Sequence, residues 1–251
     1  MRLALWQGPS PQGDIAAAVA TITQALSAAG AMRAAALVVP EVYLPGYNQP
    51  DIANKALPEG AAPLLALAGA AKSAGCALIL GYAEAAQGSV FNAALVIGAD
   101  GARVANYRKI QLYGPREKAM YQAGDAYVTF DLQGQKAAVL ICYDVEFAPH
   151  IKALADQGVT VILVPTANMM PFTYVVDYTV AAMASSHGLS IVYANYSGAE
   201  GDLAYVGGSQ IVGPHGEVLA QAGMGPALLI ADLPARDPAR LSTQSADLRL
   251  I

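Results

Sequence analysis

A repeated strand–turn–strand unit limits the fold more than any other feature of this chain. Phe91 to Val104 reads FNAALVIGADGARV, and Gly207 to Val218 reads GGSQIVGPHGEV. Each is an apolar strand, a four-residue turn bounded by glycine and a return strand, and each follows strand–helix–strand material. Helices that alternate with strands must cover a sheet, and tight hairpins belong to antiparallel or mixed sheets. Two similar halves therefore predict two stacked mixed sheets with helices outside. This is an α/β fold, a four-layer α-β-β-α sandwich, and not one doubly wound sheet. The expected organisation is a single domain over residues 1–251.

The pattern predicts strands at Arg2–Gln7, Ala34–Val39, Cys76–Tyr82, Phe91–Ile97, Arg103–Tyr107, Tyr127–Leu132, Lys136–Cys142, Val159–Val164, Leu189–Asn195 and Ala227–Ala231. Helices are predicted at Ile15–Ala29, Leu57–Ala74, Glu146–Gln157 and Phe172–Ser186. A polar loop follows Lys109, and the tail beyond Pro234 is expected to pack on a partner or fray. With 55% hydrophobic and 13% charged residues, the chain can fill a large core. A net charge of -5 without a Lys/Arg block makes nucleic acid and anionic membrane poor partners. No apolar run is long enough to predict a membrane span. Met1 to Gly8 runs directly into a strand, so no secretory signal is expected. Two cysteines, Cys76 and Cys142, form neither a disulfide framework nor a metal motif. The expectation is a cytoplasmic protein with reduced thiols, no metal and no cofactor.

Three predicted strands end in reactive groups: Glu41 after LVVP, Lys109 after NYR, and Cys142 after VLI. In α/β sheets, sites gather at the carboxyl ends of strands. Taken singly, Cys142 reads as packing, Glu41 as a solvated loop residue and Lys109 as an edge charge. Together they divide one piece of chemistry. The thiol attacks a carbonyl or nitrile carbon, the carboxylate takes its proton and later activates water, and the ammonium steadies the oxyanion. A helix expected after Cys142 would offer N–H groups that lower the thiol's pKa, with the Tyr143 N–H as a second oxyanion donor. A Cys–His pair is disfavoured. His215 sits in a turn, and His150 is expected on the outer side of the helix.

With these residues in place, the sequence resembles the nitrilase superfamily of carbon–nitrogen hydrolases. The likeness is carried by Pro40-Glu41 with Leu44-Pro45-Gly46-Tyr47, by Tyr107-Arg108-Lys109 and by Cys142-Tyr143-Asp144, and it runs from Leu3 to about Leu233. It implies a Glu41–Lys109–Cys142 triad, with Glu117, ahead of Gly124-Asp125, as the family's second glutamate. It also implies the same sandwich, no cofactor, and assembly as a homodimer or larger homo-oligomer. Gln111 departs from the family pattern, where a His often follows the lysine motif. Met183, Ser186 and His187 replace a common Arg and Glu-Asn pair.

The loop Pro165 to Pro171 follows a strand and is expected to rim the pocket. Tyr47, Tyr113, Tyr143, Thr166, Asn168 and Met169 are the predicted substrate contacts, with Met170 and Phe172 as further wall. No Arg pair is ready to clamp a carboxylate. The expected substrate is a small neutral carboxamide, cleaved to carboxylate and ammonia through a cysteine thioester. The alternatives are nitrile or N-carbamoyl hydrolysis on the same residues, acyl transfer, or a non-catalytic binding module.

Overall fold

The structure, a computed structural model, describes residues 1–247 and Arg249. In chain order the first half contains β1 (Arg2–Gln7), α1 (Ile15–Ala31), β2 (Ala36–Val38), α2 (Ile52–Lys55), α3 (Ala62–Ala74), β3 (Ala77–Ala86), β4 (Ser89–Ile97), β5 (Arg103–Arg108) and α4 (Gly114–Met120). The second half contains β6 (Thr129–Leu132), β7 (Gln135–Val139), α5 (Ala148–Asp156), β8 (Val161–Pro165), α6 (Val180–His187) and β9 (Ser190–Ala194). It continues with the short pair β10 (Ala199–Glu200) and β11 (Leu203–Ala204), then β12 (Gln210–Val212), β13 (Val218–Gln221), β14 (Ala227–Asp232) and α7 (Gln244–Asp247).

Two six-stranded sheets result, ordered β14-β1-β2-β3-β4-β5 and β13-β12-β9-β8-β7-β6. Each has three parallel strands at its centre, β1-β2-β3 and β7-β8-β9, with antiparallel neighbours outside. The two repeated hairpins, β4-β5 and β12-β13, supply antiparallel edges of opposite sheets. Alternation divides the first sheet's side chains between two cores. Leu3, Leu5, Val38 and Ile79 join Val139, Leu163 and Val192 of the second sheet between the layers. Ala4, Leu37, Leu78 and Leu80 face outward beneath Ile22 and Leu26 of α1 and Leu67 of α3. The expected stack of helix, sheet, sheet and helix is the observed one.

The differences from the sequence reading are local. The predicted helix Leu57–Ala74 starts at Ala62, because Pro58 disfavours helical backbone at Leu57. Leu57 instead bridges to Glu84. The helix expected from Glu146 begins at Ala148. Cys142–Glu146 is a tight 3-10 turn, and Pro149 fits only the first turn of a regular helix. Within the helix predicted from Phe172, Val175–Thr179 widens into a π turn, and Gln210 Nε2 donates to the Val176 carbonyl there at 2.8 Å. The polar loop after Lys109 holds α4. The tail beyond Pro234 lies on its own chain: the Asp237 N–H donates to His215 Nε2 at 3.1 Å, and α7 packs on α6. Its positions 248, 250 and 251 lie outside the described residues. Among the described residues, no helix is long and apolar enough to cross a membrane.

Candidate active site

Glu41 lies just beyond β2, Lys109 just beyond β5, and Glu117 on α4. Their side chains meet in the interior. Lys109 Nζ is 2.6 Å from Glu41 Oε1 and 2.8 Å from Glu117 Oε1. All three residues are buried. Asn92 of β4 donates to Glu41 Oε1 at 2.6 Å, while Glu41 Oε2 is buried without a partner among the described residues. Glu117 also accepts from the Tyr47 hydroxyl at 2.7 Å and from the Tyr113 N–H at 2.8 Å. Gly81 makes this corner possible. A Cβ there would lie 2.7 Å from Glu41 Cα and Val42 N, too close for any side chain.

Burial alone would pull the Lys109 ammonium down, but Glu117 and Glu41 more than reverse it, so the lysine stays charged. Burial pushes the Glu41 carboxyl up to about 7; Glu117 adds to the rise, and Lys109 and Asn92 oppose it. The thiol of Cys142 departs from expectation. Burial and the Glu41 charge drive its pKa up, against Lys109, the Thr166 hydroxyl and the Ala167 N–H. The resting thiol is therefore protonated. Burial, with the neighbouring carboxylate, outweighs any benefit from the following turn, so the sulfur needs a base.

Cys142 carries φ +45°, a left-handed conformation that is uncommon outside glycine, and Val42 beside Glu41 carries φ +46°. Strained backbone thus flanks the site on both sheets. What holds the cysteine turn is Asp144, a residue the sequence reading used only as part of a motif. Its Oδ2 accepts from the Ile141 N–H at 2.9 Å and the Tyr107 hydroxyl at 2.7 Å; its Oδ1 accepts from the Gln111 N–H at 2.7 Å. Asp144→Asn turns one acceptor into a donor facing donors. It should lower stability by about 2–3 kcal/mol, read by urea unfolding. An unchanged midpoint would show that Asp144 does not hold the turn. His150 is half-buried against Tyr127 and Gln111, not against Cys142.

Cys142 opens onto a cavity of about 210 Å³. Tyr47, Tyr113, Tyr143, Asn168, Met169 and Phe172 line it, as the sequence suggested. Thr166 is placed differently: it is fully buried, and its hydroxyl lies beside the thiol instead of reaching the cavity. Met170 is exposed outside the cavity. Ala167, from the loop expected to rim the pocket, lines it too, whereas sequence reasoning missed Glu146 and Tyr174 as lining, and Asn92 as the partner of Glu41.

The carbon–nitrogen hydrolase profile matches residues 2–240. A protein of Pseudomonas protegens described as "Hydrolase in pqqF 5'region" is 40% identical over 237 residues, covering 93% of this chain and 82% of that protein. An (R)-stereoselective amidase of a Pseudomonas species is 35% identical over 189 residues, covering 74% of this chain and 68% of that one. Among solved structures, the NitN amidase of Nesterenkonia sp. AN1 superposes with a TM-score of 0.89 at 32% identity, covering 99% of this chain and 96% of that one. A variant of that amidase carries acrylamide added at its active-site cysteine. The sandwich agrees with these matches: the chain belongs to the carbon–nitrogen hydrolase family.

Proposed function

We propose that the protein hydrolyses small carboxamides to carboxylate and ammonia, with Cys142 as nucleophile, Glu41 as proton carrier and Lys109 as oxyanion partner. The observation that carries this reading is a thiol opening onto a cavity beside a lysine clamped between two buried carboxylates. Amidases among the relatives and solved structures support the amide as substrate. An amidase of the same family has been seen with butyramide.

Glu41 takes the Cys142 proton as sulfur bonds to the carbonyl carbon. The displaced electron pair settles on oxygen, faced by the Lys109 ammonium and the Tyr143 N–H. The tetrahedral species collapses, the C–N bond breaks, and Glu41 hands its proton to nitrogen, so ammonia leaves. A water then gives its proton to Glu41 as its oxygen attacks the thioester. The C–S bond breaks, Glu41 returns its proton to the sulfur, and the acid leaves as carboxylate, its own proton passing through solvent to the ammonia. Glu117 carries no proton in this sequence. Held by Tyr47 and the Tyr113 N–H, it fixes Lys109. Tyr47, Tyr113, Tyr143, Asn168 and Met169 shape the cavity for the acyl group, and Thr166 packs beside the thiol.

The pH profile tests the role of Glu41. A base works only when ionised, and burial places this carboxyl at about 7. With butanamide, kcat/KM should fall about tenfold per pH unit below about pH 7. Glu41→Gln should abolish ammonia release while leaving the fold intact. A flat profile between about pH 5 and pH 8, or an active Gln variant, would remove Glu41 from this role. The reading extends to one domain over residues 1–251, to a homo-oligomer and to a reducing, cytoplasmic setting. An apolar groove between α5 and α6, with Ala182 and Met183, supports the assembly, and the two free cysteines support the setting.

A further inference from the structure

The cavity beyond Cys142 is not electrostatically neutral. Among the described residues lining it, Glu146 is the one carboxylate, and no lysine or arginine accompanies it. Glu146 ends the same 3-10 turn that begins at Cys142, so its distance from the nucleophile is fixed by a rigid turn. Tyr174 lines the cavity beside it. Lys109 acts on it only from further off, and is already clamped by Glu41 and Glu117. Tyr113, Tyr143 and Phe172 turn aromatic surface toward the same space. The amide-splitting sequence above gives Glu146 no task.

We propose that Glu146 sets substrate charge: the cavity prefers amides whose acyl side carries a protonated amine and rejects those carrying a carboxylate. The inference rests on the amide-hydrolase reading and specifies its substrate class. An ammonium near Glu146 gains a charge-assisted hydrogen bond in a half-desolvated setting, and aromatic faces attract cations. A second carboxylate there meets like charge with no cation free to offset it. A cavity of about 210 Å³ suits a small acyl group.

The test uses three amides of similar size: 3-aminopropanamide, cationic at neutral pH; butanamide; and succinamate, anionic. Ammonia release by the full-length protein gives kcat/KM for each. The wild type should favour 3-aminopropanamide over succinamate by about 100-fold or more, and Glu146→Gln should shrink that ratio at least about tenfold, chiefly through KM. A merely structural role would lower all three rates alike and leave the ratio unchanged, which would overturn the assignment. So would a wild type that prefers succinamate or treats the three equally; in both cases hydrolysis itself would stand. No ammonia from any of the three, with Cys142 still alkylated by iodoacetamide, would instead overturn the hydrolase reading and this inference with it.

Discussion

Replacing Cys142 with alanine is expected to lower amide turnover by on the order of 10⁶-fold while leaving a folded protein that still binds butanamide. The thiol forms the bond that replaces the C–N bond, and no other nucleophile lines the cavity with a base beside it among the described residues. The fold loses little, because Cys142 is only half-buried and alanine inherits the same strained backbone without adding to it. Stability should stay within about 1 kcal/mol of wild type. Single-turnover ammonia release and calorimetric titration with butanamide check the two halves. Residual turnover above about one part in 10³ from a correctly folded variant would move the nucleophile elsewhere.

Lys109→Met is expected to act strongly on rate and stability together. The oxyanion loses its charged partner, which costs on the order of 10²–10³-fold in kcat. Glu41 and Glu117 also lose the cation between them and face each other buried. Removing one member of such a buried group costs about 3–5 kcal/mol. The pH dependence gives the sign. Burial already raises the Glu41 carboxyl to about 7, and without Lys109, which lowers it, the folded-state value rises further. The folded state then binds more protons than the unfolded one between about pH 4.3 and that raised value, so stability falls as pH rises through the window. The wild-type carboxyl already follows that slope below about pH 7, so the deficit in melting temperature against wild type should narrow as pH falls from about 9 to about 7 and stay level below that. A deficit independent of pH, or near-normal turnover, would contradict the buried three-group arrangement.

The sandwich was legible because hydrophobic alternation and the twin hairpins are properties of local sequence. Glu41, Lys109 and Cys142 were legible as strand-end groups, and the structure brings them to one place. What escaped depends on contacts between distant segments. Asp144 gains its role from Tyr107 and Gln111, and Asn92 gains its role from Glu41. No periodicity in Asn92 or Asp144 points to either partner. The thiol's raised pKa escaped for the same reason: a neighbouring helix end is visible in sequence, but burial by distant segments and a carboxylate brought up from residue 41 are not. The short helix α4 hid in a polar stretch whose composition reads as loop, although it carries Glu117.

Glu41 and Lys109 are mounted on one sheet and Cys142 on the other. Small bonds cross the gap between the layers: the Tyr107 hydroxyl to Asp144, the Tyr196 hydroxyl to the Glu41 carbonyl at 2.7 Å, and the Ser209 hydroxyl to the Gln7 side chain at 2.7 Å. Turnover is therefore a gauge of alignment between two slabs. A slip of about 1 Å along their shared plane would part acid from sulfur and cost on the order of 100-fold in rate before any helix unwound. Rivets that touch no reacting atom thus belong to the catalyst as much as the groups they keep in line.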